Sequence, residues 1–275
     1  MIARLALRNK GVSDMYTFIP WVGGKYLLAP DIVALMPQER KTYIEVFGGG
    51  GKVLFAKAVK SGEVEVFNDI NKDLVNLFRI VRNRFDQFKA RQYFILSSRE
   101  EYAAFLQRYK NRAFKDDIER AIVFYYLVKT SFGSGITTGW GSSRVRPAKY
   151  PACLEDLDGV RERLKRVYIE CLSFEKLIPK WDSEDALFYC DPPYWVTLEK
   201  KGYYQHELNE DGHVHLRDML MKIKGRFILS YDNHPRVREL YKDFNVRTTR
   251  PIHYSMNNRR GQPARHQEEV LITNY

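Results

Sequence analysis

Residues 43–58 read "YIEVFGGGGKVLFAKA", a buried strand followed by four glycines and the start of a helix. Glycines permit a tight turn and let backbone N–H groups and a helix N-terminus approach a ligand closely. The next apolar run ends in "VFNDIN", which places Asp69 at the carboxyl end of a second strand, 18 residues after Gly51. An acid there suits the two hydroxyls of a ribose. The stretch therefore predicts an adenosine-containing cofactor at the carboxyl ends of a sheet, with a plain glycine-rich turn as the alternative.

The same glycines argue against a dinucleotide. The dinucleotide fingerprint needs a further glycine three residues after the second one, and Leu54 stands at that spacing after Gly51. A pyrophosphate is therefore not the expected ligand.

Seven short runs rich in β-branched and aromatic residues alternate with helical patterns, which predicts an α/β fold with a mostly parallel sheet. The last two runs, separated by "NNRRGQPARH", predict an antiparallel hairpin at the sheet edge. The strands are predicted at 42–47, 63–67, 167–170, 186–190, 227–231, 245–249 and 269–273. The helices between them are predicted at 52–60, 72–82, 213–223 and 236–243.

The middle of the chain has a different pattern. Residues 83–166 show little strand pattern but helical periodicity at 100–110 and 116–130, with Asp116 or Asp117 as the N-cap. A Gly/Ser/Thr-rich segment at 131–147 follows and predicts a loop or hairpin. Residues 75–166 hold 19 lysines and arginines against 10 acids, so this region carries +9 of the net +11. Such an excess of positive charge indicates a polyanion partner, most simply nucleic acid. The alternative is a basic surface that only keeps the protein soluble.

Residues 186–195 read "ALFYCDPPYW", an apolar strand that runs into an acid, two prolines and two aromatics. Each proline restricts its own φ and the residue before it, so Asp191 and Pro192 are expected to be extended. The Asp191 carboxylate and nearby carbonyls then form fixed acceptors beside the Tyr194 ring. This pattern predicts a clamp for a planar group that donates hydrogen bonds, whereas the alternative is a turn that ends a buried strand.

The composition favours a folded protein in a reducing compartment. Hydrophobic residues make up 44% of the 275 residues, and no apolar run has the roughly 18 to 20 residues of a membrane span. The cysteines, Cys153, Cys171 and Cys190, form no Cys-x-x-Cys pair, so neither a metal site nor a disulfide is expected, and a cytoplasmic location fits. Cys190 is either a nucleophile or a small buried residue, and its strand favours burial. His213 is expected to be a surface residue.

Three blocks stand in order: "PWVGGKYLL" at 20–28, "EVFGGGGKVLF" with "NDIN" at 45–71, and "DPPY" at 191–194. This ordered set resembles the Dam family of DNA adenine methyltransferases over residues 18–275. The resemblance implies a Rossmann-like class I methyltransferase sheet that uses S-adenosyl-L-methionine. It also implies a catalytic domain at 18–82 and 167–275, a helical DNA target-recognition domain at 83–166, and an extension at 1–17.

The family's site residues transfer to matching positions. The resemblance places Trp21 and Lys25 at the methionine end of the cofactor, and Asp69 on its ribose. Ser173 and Phe174 flank the adenine. The full cofactor-binding set, which includes the glycine turn, is Trp21, Lys25, Glu45, Phe47, Gly49, Gly51, Asp69, Ile70, Ser173, Phe174 and Asp191. It makes the catalytic set Asp191, Pro192, Pro193 and Tyr194. The DNA-binding candidates of the insert are Lys129, Ser131, Trp140, Arg144 and Arg146, each of which is alternatively an ordinary surface or core residue.

The implied chemistry is methylation of the adenine N6 amine, whose lone pair is delocalised into the ring. Hydrogen bonds to Asp191 and the Pro192 carbonyl favour its attacking form, and the flipped base stacks on Tyr194. The expected partners are double-stranded DNA and a nuclease of a restriction-modification system. The enzyme is expected to be a monomer that does not bind a membrane. Residues 128–144, "VKTSFGSGITTGWGSSR", differ from the run of GATC-recognising members, so GATC is not the predicted target. The alternatives are methylation of cytosine N4 or of an RNA base, or a non-catalytic DNA-binding regulator on the same scaffold.

Overall fold

The computed structural model describes residues 18–21, 23–132, 135–142, 148, 150–155, 157–195, 208–253 and 266–275. Its centre is a seven-stranded sheet, and every strand predicted from the sequence is present. The strands are β1 (Thr42–Glu45), β2 (Val64–Asn68), β3 (Val167–Glu170), β4 (Ala186–Cys190), β5 (Arg226–Asp232), β6 (Asn245–Thr248) and β9 (Glu269–Thr273). A separate two-stranded ribbon joins β7 (Ile252–His253) and β8 (His266–Gln267).

The strand order is β3-β2-β1-β4-β5-β9-β6, with β1 to β5 parallel and β9 antiparallel to both of its neighbours. The predicted antiparallel pair of β6 and β9 is confirmed, and β9 lies inside the sheet while β6 forms the edge. The positions follow from composition. Every residue of β4 is buried, as a central parallel strand requires, whereas all four residues of β6 are at least partly exposed and one of them is the charged Arg247.

Helices cover both faces of the sheet. α1 (Ala29–Leu35) precedes β1, and the helices that connect the strands include α2 (Lys52–Ala56), α3 (Lys72–Asn83), α8 (Phe174–Trp181), α9 (Glu210–Leu220) and α10 (Pro235–Leu240). The middle of the chain adds α4 (Phe85–Ala90), α5 (Arg99–Lys110), α6 (Asp117–Thr130) and α7 (Leu157–Leu164). Asp116 is the N-cap of α6 and accepts a hydrogen bond from the Glu119 N–H, as predicted. The sequence pattern did not predict α4, α7 and α8, which are only six to eight residues long.

The helices of residues 83–166 share a hydrophobic core with the sheet. In one continuous cluster, Phe18 contacts Phe78 of α3 and Tyr125 of α6, with ring centroids 4.9 and 6.1 Å apart. Phe78 in turn stacks on Phe67 of β2 at 4.0 Å. The insert is therefore built directly onto the sheet, and its division into a separate recognition domain stays a prediction.

A buried carboxylate fastens the insert to α3. Asp73 is 5% exposed and accepts two hydrogen bonds from Arg112, one from Arg120 and one from the Tyr109 hydroxyl, all between 2.7 and 3.1 Å. Burial acts to raise the pKa of Asp73, but the two guanidinium groups outweigh it and hold that pKa below its usual range. Because Asp73 follows Asn71, the N-cap of α3, the network also stabilises the turn after β2.

Candidate active site

A cavity of about 300 Å³ opens at the carboxyl ends of β1 to β4. Ligands of open α/β sheets bind at this edge because the loops that follow the strands converge there. Nearly all predicted cofactor-binding and catalytic residues line the cavity: Trp21, Lys25, Glu45, Phe47, Gly49, Asp69, Ile70, Ser173, Phe174, Asp191, Pro192, Pro193 and Tyr194. Gly51 does not line it and instead forms the N-cap of α2.

The loop after β1 has no room for side chains. A Cβ on Gly48 would lie 2.3 Å from the Phe67 ring, and one on Gly49 would lie 2.7 Å from the Trp21 indole. Gly49 also has a φ of +50°, a backbone angle that residues with a side chain rarely adopt. The glycines therefore let the loop lie flat between the β2 core and Trp21, with its backbone facing the cavity. Trp21 leans on Phe124 of α6, which joins this loop to the insert.

Asp69 braces the glycine loop from β2. Its two carboxylate oxygens accept hydrogen bonds from the N–H groups of Gly49 and Asn71, each at 2.8 Å. The preceding residue, Asn68, is 1% exposed and donates to the carbonyls of Val46 and Leu172. The ends of β1, β2 and β3 are thus joined through one asparagine. The sequence reasoning missed Asn68, although its place before the acid in "NDIN" was a usable signal.

Glu45 lies at the floor of the cavity at the end of β1. It is 2% exposed and accepts hydrogen bonds from the Leu54 N–H and the Tyr43 hydroxyl, at 2.8 and 3.0 Å. Burial raises the pKa of Glu45 to about 8 against the opposing effect of these bonds, and the nearby Asp191 charge adds to the rise. Glu45 is therefore mainly a neutral acid at pH 7.

Asp191 is held by two donors that both reach Oδ1. The Lys25 ammonium lies 2.7 Å away and the Ser230 hydroxyl donates at 2.9 Å. Among the described residues none donates to Oδ2, which leaves that oxygen as an acceptor. Burial raises the pKa of Asp191 to about 6 and Glu269 contributes to the rise, while Lys25 and Ser230 oppose it. The carboxylate is therefore mostly ionised above pH 7.

Lys25 connects the Asp191–Tyr194 segment with β9. It is 3% exposed, donates to the Gly23 carbonyl at 2.8 Å, and lies 4.0 Å from Glu269 and 4.6 Å from the Tyr194 ring centroid. The Tyr194 hydroxyl donates to Glu269, which is 1% exposed. Two carboxylates thus compensate the buried ammonium, and one of them also orients the tyrosine. Sequence reasoning missed Glu269 and Ser230, because they lie on strands far along the chain.

The residues that flank the Asp191–Tyr194 segment have structural contacts. The Trp195 N–H donates to Asp232 at 3.2 Å, which anchors the end of the segment to β5. Cys190 is fully buried, and burial followed by the Asp191 charge raises the pKa of its thiol well above the usual range, so the thiolate of a nucleophile is disfavoured. The expectation for His213 was wrong: it is fully buried, contacts the Tyr231 hydroxyl, and has a pKa lowered to about 4 by burial.

The DNA-binding candidates lie near the end of α6. Lys129 is partly buried, with its ammonium 5.3 Å from the Tyr125 ring centroid. Ser131 and Trp140 pair in an antiparallel bridge at the base of the predicted hairpin, and both contact Tyr102. Ser131 is only 8% exposed, and its hydroxyl donates to the Ile136 carbonyl within the predicted hairpin. Their contact with DNA stays a prediction, and Arg144 and Arg146 lie outside the described residues.

Two features are not found in the part of the chain that the structure describes. It contains no cluster of three or more histidine, cysteine or acidic side chains arranged to hold a metal ion. None of its helices combines the length and apolar character needed to cross a membrane.

Residues 21–251 match the model of the D12 class N6 adenine-specific DNA methyltransferases. The chain is also 27% identical to the Type II methyltransferase M1.LlaDCHI of Lactococcus lactis subsp. cremoris, over 98% of this chain and 99% of that protein. It is 28% identical to the Type II methyltransferase M.MjaIII of Methanocaldococcus jannaschii, over 95% and 100% of the two chains. The DNA adenine methylase of Escherichia coli K12 is 26% identical over 82% of this chain and 84% of its own length.

Proposed function

Because the chain belongs to the D12 class of N6 adenine-specific DNA methyltransferases, we propose that it transfers the methyl group of S-adenosyl-L-methionine to an adenine flipped out of duplex DNA. The observation that supports this most is the juxtaposition of Asp191 and Tyr194 with the loop that Asp69 braces, all lining one cavity. Such a cavity brings a base-binding clamp and a nucleoside-binding loop within reach of one another.

The cavity fits the proposed donor. The side-chain-free loop at Gly48 and Gly49 leaves backbone facing the cavity, and a volume of about 300 Å³ is at the lower end for small-molecule sites. Asp69 would hold the ribose hydroxyls, and Ser173 and Phe174 would flank the adenine of the donor. When bound, the donor supplies an electrophilic methyl group on its sulfonium, and the residues of this chain then have to position the attacking amine.

Asp191 would orient that amine. Lys25 and Ser230 hold Oδ1 in place, so Oδ2 can accept a hydrogen bond from N6–H of the target adenine. A hydrogen bond from N6–H to this carboxylate favours the pyramidal form of the amine. In that form the nitrogen lone pair is directed towards the methyl group. The carbonyl of Pro192 is the second acceptor, and the ring of Tyr194, oriented by Glu269, provides the stacking face.

The insert and the family suggest the wider context. The positive charge of residues 75–166 would contact the DNA backbone, and the hairpin that begins at Ser131 would approach the bases. Two of the relatives are named Type II methyltransferases, which supports a role in a restriction-modification system beside a nuclease. We propose a monomeric enzyme that acts in the cytoplasm, where its three free cysteines would stay reduced.

Nucleoside analysis tests the function directly. DNA from cells that produce the protein should contain additional N6-methyldeoxyadenosine. RNA from the same cells should show no additional methylated nucleoside. Cells producing the Asp191→Asn variant provide the background. N4-methyldeoxycytidine or a methylated ribonucleoside would instead show that the same clamp serves the alternative substrate, and no new product with an otherwise DNA-binding protein would favour a regulator.

The Asp69→Ala variant should bind S-adenosyl-L-methionine more weakly. Loss of the carboxylate leaves the ribose hydroxyls without an acceptor and frees the Gly49 N–H, at a cost of about 1 to 3 kcal/mol of binding free energy. Isothermal titration calorimetry without DNA measures this. An Asp86→Ala variant, changed at an exposed residue of α4, is the control, and equal affinity in the Asp69 variant would remove that residue from the site.

A further inference from the structure

Lys52 is a second lysine that lines the cavity, in addition to Lys25. It follows the glycine loop directly, as the first residue of α2, and it lines the cavity. Its ammonium donates to the Ile19 carbonyl at 3.1 Å, and none of the described carboxylates forms a salt bridge with it. Lys25, the other lysine of the cavity, is by contrast compensated by Asp191 and Glu269.

The stem of Lys52 is held between two loops. A Cβ on Gly24 would lie 3.2 Å from Lys52 Cε, and one on Gly50 would lie 3.4 Å from it. The lysine stem thus fills the space that these two glycines leave open. Its ammonium is consequently placed where the segment that contains Trp21 meets the glycine loop.

The surroundings of this ammonium favour an anion. Burial lowers the pKa of Lys52 to about 7, and the positive charge of Lys129 at the end of α6 lowers it further. The charge of Lys129, which belongs to the insert, therefore acts on Lys52 at the start of α2. An oxyanion beside Lys52 would restore its charged form and offset the repulsion from Lys129.

The order of the strands indicates which anion arrives there. Along the sheet edge, Phe174 follows β3, Asp69 follows β2, the glycine loop follows β1 and Asp191 follows β4. A donor with its adenine at Phe174 and its ribose at Asp69 has its amino-acid part beside the glycine loop. That part carries a carboxylate. A DNA phosphate is the competing oxyanion, but the stem of Lys52 is enclosed by Gly24 and Gly50, which favours a group that enters the cavity with the donor.

We propose that Lys52 binds the carboxylate of the methionine part of S-adenosyl-L-methionine, an inference that rests on the proposed function. A charge-assisted hydrogen bond of this kind supports binding of the donor before DNA arrives. The same contact would fix the amino-acid end of the donor against the segment that holds Trp21 and Lys25.

A double comparison of variant and ligand tests this contact. Calorimetry without DNA measures the affinity of wild type, Lys52→Met and Lys52→Arg for S-adenosyl-L-methionine and for its decarboxylated analogue. We expect Lys52→Met to bind S-adenosyl-L-methionine about 10- to 100-fold more weakly, but to bind the decarboxylated analogue within about twofold of wild type. Lys52→Arg should recover part of the loss. Lys41→Met, at the opposite end of β1, is the matched control, and thermal unfolding checks that each variant folds.

The outcomes separate the inference from the function it rests on. An equal loss for both ligands would assign Lys52 a structural role, and unchanged affinity for both would remove it from the site; either result overturns the inference. The same holds if Lys52→Met weakens only the binding of duplex DNA, measured by fluorescence anisotropy, because the oxyanion is then a phosphate. If the wild-type protein binds neither ligand, the assignment of the donor itself fails.

Discussion

An Asp191→Asn variant should transfer methyl groups at least about a hundredfold more slowly than wild type in a single turnover, while it still folds and binds S-adenosyl-L-methionine. Asparagine has nearly the same shape, but its neutral amide is a weaker acceptor for N6–H. The amide oxygen takes the Oδ1 position, because the Lys25 ammonium donates there. The amide NH₂ group then takes the Oδ2 position and is directed towards the target amine. Both effects reduce the polarisation of N6 at the moment of attack.

The measurement needs saturating DNA and donor, so that only the chemical step is compared. Rapid quenching gives the rate, calorimetry gives the donor affinity, and thermal unfolding reports on the fold. Asp185→Asn is a suitable control because Asp185 pairs with Lys41 at the exposed opposite end of the sheet. A single-turnover rate near that of wild type would refute the role of the carboxylate, and a loss confined to donor affinity would make Asp191 a cofactor residue alone.

Replacement of Lys25 with methionine should shift the pH dependence of methyl transfer. The Asp191 carboxylate is active when ionised, so the wild-type rate is expected to fall as the pH drops through about 6. Lys25 opposes the rise in that pKa, whereas burial and Glu269 promote it. Without the ammonium the pKa of Asp191 increases, and the fall in rate begins at a higher pH. At pH 6.5 the variant should therefore lose far more activity than at pH 8.5.

The Lys25 change also carries a cost in stability. It leaves the buried Glu269 and the largely buried Asp191 without their cation, and breaking such a pair destabilises a protein by about 3 kcal/mol. Denaturant unfolding measures this cost, with Lys41→Met as the exposed control. The pH profile of the single-turnover rate is the decisive readout, because a purely structural defect lowers the rate equally at every pH. An unshifted profile would contradict the proposed coupling of Lys25 to Asp191.

Short-range patterns in the sequence determined much of the fold. The strands could be predicted because their apolar runs are local, as could the glycine loop between β1 and α2. Asp69 was also found this way, since the carboxyl end of a parallel strand is a fixed position relative to its neighbours. The ordered motifs then indicated the family to which the chain belongs.

Contacts between distant parts of the chain were decided only by the tertiary structure. Ser230 and Glu269 contact Asp191 and Tyr194 because β4, β5 and β9 lie side by side, and neither residue carries a local signal of those contacts. The same holds for the pairing of Lys25 with Asp191, and for the burial of His213, which lies on the inner face of α9 although the polar sequence of that helix predicted exposure. Sequence periodicity reports which residues face a core, whereas the pKa and orientation of a carboxylate depend on charges that folding brings within a few ångströms.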